Sequence, residues 1–358
     1  MNQRFDAVLA AVAERDLDVL LVSDVVNVRW LTGFTGSNAA ALVGPNQRRF
    51  LTDFRYLIQA SEQLDELWER EISIELLKRA MEGLPGDRPL RLGFDDAKLT
   101  VKQYTQLTEL APEGVELLAA GGIFEALRAV KDAAEIDAIR AATRLADEAL
   151  EEGLVAGLVG RTEREVALDL ECAMRRRGAQ AVSFPPIVAA AEHSALPHAE
   201  PRDVQIPADT LVTIDWGAHL DGYASDCTRV FATGEIDPRD QAVFDLVTLA
   251  QQTALAAVRP GPTGRELDAV ARALIEEAGH GEHFGHGLGH GVGLEVHEGP
   301  RLSRAASDVP LAAGNVITLE PGVYVPGAVG VRIEDLVVVT DDGCEVLSGL
   351  TKELRSVE

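Results

Sequence analysis

Two stretches of this chain each place a pair of acidic residues where a β-hairpin would bring them together. Thr210–Gly217 (TLVTIDWG) and Tyr223–Thr233 (YASDCTRVFAT) read as strands joined at Asp221-Gly222, a dipeptide that between apolar runs signals a tight hairpin. With the loop at 221–222, Asp215 faces Thr228 and Asp226 is its diagonal neighbour. With the loop at 220–221, Asp215 faces Asp226 directly. Either register leaves both carboxylates on one face, because strand side chains alternate with period two. The device repeats downstream. Val316–Glu320 ends at Pro321-Gly322, a turn follows at Val325–Ala328, and Val329–Thr340 (VGVRIEDLVVVT) returns, with Glu320 and Glu334 symmetric about Gly327. Like charges opposed across strands are destabilising unless something neutralises them. All four carboxylates sit in apolar contexts (VTID, VITLE, VGVRIED), unlike solvated surface pairs. The pattern predicts an internal duplication wrapped around bound cations.

The histidines add a nitrogen donor. Five of the eight fall between His280 and His297, in a tract where Gly285, Gly287, Gly289, Gly291 and Gly293 alternate with other residues. Glycine at that density opposes helix and lets backbone approach a ligand closely. In an extended segment His286 and His290 share a face. His290 suits a metal ligand, and His286 and His297 suit contacts around it. His198, on a proline-containing loop (SALPHAE), is a further candidate, whereas His219, His280 and His283 read as structural. Asp215, Asp226, His290, Glu320 and Glu334 together exceed what one catalytic metal takes with a position left open for water, and suffice for two if two carboxylates bridge. Such an oxygen-rich set without thiolate suits Mn²⁺, Co²⁺, Fe²⁺ or Zn²⁺. A two-metal site can generate hydroxide at neutral pH and polarise a carbonyl, which is the chemistry of peptide hydrolysis.

Composition narrows the partners. At 358 residues the chain should hold two domains, or one large one, around a normal core, with 46% hydrophobic residues. A formal charge of −25 argues against nucleic acid and anionic membranes. Cys172, Cys227 and Cys344 are far apart, which fits a reducing cytoplasm and no disulfide framework. No run of apolar residues is long enough for a membrane span, and the charged N-terminus reads as an amphipathic helix.

Along the chain, strand signals at Asp18–Val22, Ala39–Val43, Arg48–Thr52, Ile72–Leu76, Leu90–Phe94 and Val115–Leu118 alternate with helix signals at Arg4–Glu14, Phe54–Gln63, Leu76–Glu82 and Val101–Leu110. They predict a smaller α/β domain over residues 1–122, closed by Gly121-Gly122. From Ile123 a charged helical stretch begins. A second helix starts at Thr162 with a capping box and stops at Gly178, and further helices are expected at Arg239–Val258 and Gly264–Ala278. Residues 123–358 thus read helix-helix-hairpin twice, an α+β domain with helices covering one face of a curved antiparallel sheet.

The words SALPHAE, IDWG, SDCTR, HGLGHGVGLEVHE, EPGVY and GVRIED, in this order, resemble the metal-dependent peptidases of the pita-bread fold, in particular the proline-specific aminopeptidase P and prolidase branch. The resemblance covers essentially the whole chain. It implies that Asp215 ligates a first metal, that Asp226 and Glu334 bridge, and that His290 and Glu320 ligate a second, with Mn²⁺ the expected ion at both positions. It implies catalytic roles for His198, His297 and Glu320, the last as proton shuttle. His198, His286, His297, Tyr324 and Arg332 would line the substrate pocket. The implied substrate is a peptide with proline in second position, and the implied assembly a homodimer or homo-oligomer. FTGSNAAALV and TDFRY favour the Xaa-Pro aminopeptidase, with the Xaa-Pro dipeptidase as the alternative.

Overall fold

The computed structural model describes residues 2–84 and 89–358, which form two compact units, 1–128 and 129–358. The Gly121-Gly122 pair lies inside the first unit rather than at its edge. Gly121 N–H donates to Asp96 and its carbonyl accepts from Arg15, so the backbone there is tied down. Among the described residues no helix is long and apolar enough to cross a membrane.

The first unit carries a six-stranded mixed sheet in the order Glu69–Ile72, Gln47–Thr52, Ala39–Gly44, Val19–Val22, Leu90–Phe94, Val115–Ala119. The strand expected at Ile72–Leu76 instead ends at Ile72, where it pairs with Thr52, and Leu76 already opens the helix Leu76–Glu82. Ile72 and Ile74 are exposed, so that apolar run never had a core face to bury. The helix Val25–Thr32 is absent from the sequence reading. Its valines suggest a strand, but Asp24 accepts from Asn27 N–H at its start and Gly33, at φ 79°, closes its end.

The second unit is built twice over. Its first half runs helix Ala133–Leu154, helix Glu163–Arg176, strand Ile187–Ala190 and hairpin arms Leu211–Trp216 and Cys227–Ala232. Its second half runs helix Pro238–Ala257, helix Gly264–Glu277, strand Gly289–Gly291 and hairpin arms Val316–Leu319 and Asp335–Val339. In each half the lone strand pairs antiparallel with the first arm, which pairs with the second. The helices of each half bury one face against their own strands. Leu150, Met174, Ile214 and Trp216 share one core, and Val247, Ile275, Ile317 and Val337 share the other.

The entry to each half's second helix repeats in detail. Gly160-Arg161-Thr162 and Gly261-Pro262-Thr263 both lead into capping boxes, closed by Glu165 and Glu266 respectively. Gly160 N–H donates to Ile206 and Gly261 N–H to Leu311, each at 3.0 Å. Thr162 and Thr263 each bridge to one residue of a following loop, Gln205 and Pro310. A further capping box, Asp132 with Glu135, splits the long helical stretch expected from Ile123 into Ile123–Ala129 and Ala133–Leu154.

A cap of this kind contributes about 1 kcal/mol. Thr263→Ala is therefore expected to lower the unfolding free energy by about that amount, read from the urea midpoint at an unchanged slope.

Candidate metal centre

The first hairpin turns at Asp221 and Gly222, whose φ values of 48° and 87° are those of a type I′ turn. The resulting register sets Asp215 opposite Thr228 and leaves Asp226 diagonal to Asp215. The second turns at Pro326-Gly327, with Gly327 at φ 71° and Ala328 N–H bonded to Val325 at 3.0 Å. Its ladder pairs Gly322 with Arg332 and Leu319 with Asp335, so Glu320 lies opposite Glu334 in the gap between two paired stretches. The strand expected to run unbroken from Val329 to Thr340 is interrupted at Ile333-Glu334. There Glu334 N–H leaves its own hairpin and donates to Thr228 of the first, at 3.1 Å. The two hairpins meet at that bond.

One ligand atom each from Asp215, Asp226 and Glu334 lies within 4.8 Å of the others. His290 Nε2 is 3.6 Å from Asp226 Oδ2 and 3.2 Å from Glu320 Oε1, so all five expected ligands converge. Burial is severe: Asp215, Asp226 and Glu334 are 8%, 5% and 1% exposed. Burial, then the neighbouring carboxylates, pushes Asp226 and Glu334 far above the usual carboxyl range. Burial also raises Asp215, against the pull of Arg332. For Glu320 burial is outweighed by the hydrogen bond and charge of His290, with help from His286 and Arg332, which hold it at about 2.

Two features of this cluster call for cations. Asp215 Oδ2 accepts from Arg332 at 2.6 Å and Glu334 Oε2 from the Thr228 hydroxyl at 2.7 Å, but Asp215 Oδ1 and Glu334 Oε1 are buried with no donor. A buried acceptor left without a partner costs about 1–3 kcal/mol, and more when charged. Next, His290 Nδ1 is 3.1 Å from the Gly291 carbonyl, which can only accept, so Nδ1 carries a proton and Nε2 is the atom turned to the carboxylates. Nε2 stands 3.2 Å from the Glu320 carboxylate, an arrangement that a second proton on the ring or a metal ion between the two can satisfy. The residues present therefore fit divalent metal.

Beside the carboxylates runs a second hydrogen-bonded chain. Arg332 is buried and donates to Asp215, to the Thr228 hydroxyl at 3.1 Å, to the Pro197 carbonyl at 3.1 Å and to the Tyr324 hydroxyl at 2.7 Å. Tyr324 lies 3.0 Å from His286 Nε2, and His286 Nδ1 donates to the Gly287 carbonyl at 2.8 Å. Burial lifts Tyr324 to about 12, so its hydroxyl stays protonated and donates to His286. The structure thus joins Arg332, Tyr324 and His286 in one hydrogen-bonded chain, with Arg332 turned onto a carboxylate. His198 and His297 are exposed as residues, but one side of the His297 ring is covered, its centroid 4.3 Å from that of His290. Burial and the neighbouring His290 push His297 down.

Two ion pairs that steady these histidines are missing from the sequence reading. Glu163 accepts from His193, Arg202 and the Ala190 backbone, fastening both ends of the segment that carries His198. Lys131 and Glu298 pair at 2.7 Å, both buried, immediately after His297. The TERE and VKD words carry these residues, but nothing local to either word names its distant partner.

The crowding of Asp226 with Glu334 sets a pH dependence. A carboxyl whose folded pKa is raised keeps a proton that the unfolded chain has released. Its contribution is present below the unfolded pKa, about 4, and is lost as pH rises through the folded value. Chelator-stripped protein should therefore lose stability as pH rises above about 4 through this pair. Asp226→Asn, neutral throughout, should melt higher than the stripped parent at pH 8 and by a smaller margin at pH 5. An equal melting temperature at both pH values would contradict the charge crowding.

Residues 137–341 match the family model described as metallopeptidase family M24, and residues 4–130 match that of the creatinase/prolidase N-terminal domain. The Xaa-Pro dipeptidase of Pyrococcus furiosus is 33% identical over 367 residues, spanning 99% of this chain and 100% of that one. A solved structure of an Xaa-Pro dipeptidase from Bacillus anthracis superposes with a TM-score of 0.93 at 36% identity, covering 99% of both chains. That of an X-Pro aminopeptidase from Thermotoga maritima superposes at 0.87 and 34% identity, covering 96% of this chain and 98% of the other.

Proposed function

The chain belongs to metallopeptidase family M24, and from that premise we propose that it hydrolyses Xaa-Pro dipeptides with two divalent cations held by Asp215, Asp226, His290, Glu320 and Glu334. The observation that carries the reading is the pair of buried, donorless oxygens, Asp215 Oδ1 and Glu334 Oε1, in the same cluster as His290, whose Nε2 stands 3.2 Å from the Glu320 carboxylate. In this reading Asp215 serves one cation, His290 and Glu320 the other, and Asp226 and Glu334 both. Four carboxylates to one imidazole make Mn²⁺ our first assignment among Mn²⁺, Co²⁺, Zn²⁺ and Fe²⁺. Cations so held would acidify water and polarise the scissile carbonyl.

The remaining work falls to side chains. As the water oxygen adds to the carbonyl carbon ahead of proline, its proton passes to Glu320, a carboxylate at neutral pH. The same carboxyl then delivers that proton to the prolyl nitrogen as the C–N bond breaks. A tertiary amide nitrogen bears no hydrogen, so this delivery is what lets proline leave as a neutral amine. His297, neutral at pH 7 because burial and His290 push it down, offers an N–H to the developing oxyanion, and His198 does the same from the opposite loop. His286 borders the proline ring, its position set by Tyr324 and Arg332. The enzyme would work in the cytoplasm as a homodimer or larger homo-oligomer.

FTGSNAAALV and TDFRY led the sequence reading toward the aminopeptidase. Relatives named Xaa-Pro dipeptidase match over 99% of this chain, and on that similarity we place the dipeptidase first. The aminopeptidase stays as the second reading on the strength of the Thermotoga maritima structure. With Mn²⁺ added, kcat/KM for an Xaa-Pro dipeptide is expected to exceed that for the matching Xaa-Pro-Yaa tripeptide. Preference for the tripeptide would install the aminopeptidase instead. Comparable cleavage of Xaa-Ala would remove proline from the account.

Donors aimed at developing charge are worth roughly 10²–10³ in rate. His297→Ala and His198→Ala should each lose more than tenfold in turnover while retaining two metals per chain by elemental analysis. Metal lost in step with activity would make them ligands, and full activity would make them bystanders.

A further inference from the structure

Glu334 is gripped by more than its side chain. Its N–H donates to the Thr228 carbonyl at 3.1 Å, its Oε2 accepts from the Thr228 hydroxyl at 2.7 Å, and its carbonyl accepts from the Arg229 guanidinium. Every one of these contacts comes from the neighbouring hairpin. Arg229 follows Asp226 by three residues on the same arm and is 3% exposed, a severe burial for a guanidinium. It is fully engaged. Beyond Glu334 it donates to the Thr228 carbonyl at 3.0 Å, to the Leu350 and Thr351 carbonyls at 3.2 and 3.1 Å, and to Asp335 Oδ1 at 2.8 Å. Asp335 is 1% exposed and also takes Gln251 at 3.0 Å and Lys352.

The register explains why this matters. Asp226 and Glu334 belong to different hairpins, and the backbone bond between these arms, from Glu334 N–H to the Thr228 carbonyl, meets the first arm two residues past Asp226. Their separation must be set by something that holds both arms. Arg229 is covalently fixed to the Asp226 arm and hydrogen-bonded to the Glu334 peptide, and Asp335, next to Glu334, neutralises it. A planar, rigid fork of five donors suits such a clasp, and an ammonium on a flexible stem does so less well.

We propose that Arg229, neutralised by Asp335, is a positioning residue that fixes the spacing of Asp226 and Glu334 and thereby the geometry in which this chain holds its two cations. The inference rests on the reading of these carboxylates as shared metal ligands. Arg229 touches neither substrate nor metal in it, and acts through the Glu334 peptide.

The full-length chain, stripped with chelator and titrated with Co²⁺, provides the test through dissociation constants and the visible absorption spectrum of bound Co²⁺. Outer partners of metal ligands are typically worth about 10–100-fold in affinity. Arg229→Gln should bind Co²⁺ at least tenfold more weakly with a shifted spectrum, and Arg229→Lys should recover part of both. A folded Arg229→Gln with the parent's affinity and spectrum, merely melting lower, overturns the proposal. Should Arg229→Gln fail to fold, Lys352→Met with Gln251→Leu loosens Asp335 while keeping the arginine. A weakened, spectrally shifted site then supports the clasp, and an unchanged one overturns it. A parent that takes up fewer than two Co²⁺ per chain refutes the underlying two-cation reading, and the clasp with it.

Discussion

Carboxylates packed out of water against one another are the condition around which the second unit is arranged. Asp215, Asp226 and Glu334 are nearly inaccessible, and burial together with mutual repulsion opposes ionisation of the last two. A fold optimised for stability alone would replace them with apolar side chains. The surrounding architecture resists their separation at each level. Two tight turns fix which residues face each other, two helix pairs back the two hairpins, and two buried arginines hold the junction.

The duplication accounts for the placement. Each half on its own supplies a hairpin with a register fixed by a positive-φ turn, at Asp221-Gly222 and at Gly327. Each also supplies a second helix anchored by a threonine capping box and a glycine that bonds a later loop. One half alone would present two carboxylates on an open face, where water would screen them. Two halves meeting at Thr228 and Glu334 exclude that water, and only then do the charges demand compensation. The divergence lies where chemistry needs asymmetry, since His290 stands on the lone strand of the second half while the corresponding strand of the first, Ile187–Ala190, is apolar.

Much of this was legible in the sequence because it was local. The Asp221-Gly222 dipeptide gave the first turn and one shared face for its carboxylates but left two registers open, between which the structure chooses; symmetry about Gly327 gave the second, and the apolar setting of each carboxylate distinguished them from surface. The helices Leu76–Glu82 and Val101–Leu110 have the bounds expected from the sequence. What was hidden depended on distant partners or conflicting signals. Val25–Thr32 was hidden by its β-branched residues despite an Asp24 cap and a Gly33 stop. The echo of Gly160-Arg161-Thr162 at Gly261-Pro262-Thr263 stood in the sequence with the same Thr-x-x-Glu spacing, but only shared loop contacts show it to be a repeat. Lys131–Glu298, Glu163–His193 and Arg229–Asp335 span long separations, and nothing around either partner announces the other.

The two arginines at the junction divide the labour in a way that follows from what each binds. Arg332 directs its charge at the Asp215 carboxylate, so it would compete with a cation held there, a cost offset by leaving Oδ1 free and oriented. Arg229 directs its charge at a ligand's peptide carbonyl and at Asp335, leaving both oxygens of the Glu334 carboxylate clear of it. Orientation without competition suits the role proposed for Glu334, a carboxylate shared between two cations. A bridging carboxylate needs both of its oxygens, and a guanidinium on either one would disable it. The neutral Thr228 hydroxyl is the only donor on the Glu334 side chain among the described residues, a contact weak enough to be relinquished or retained beside a metal.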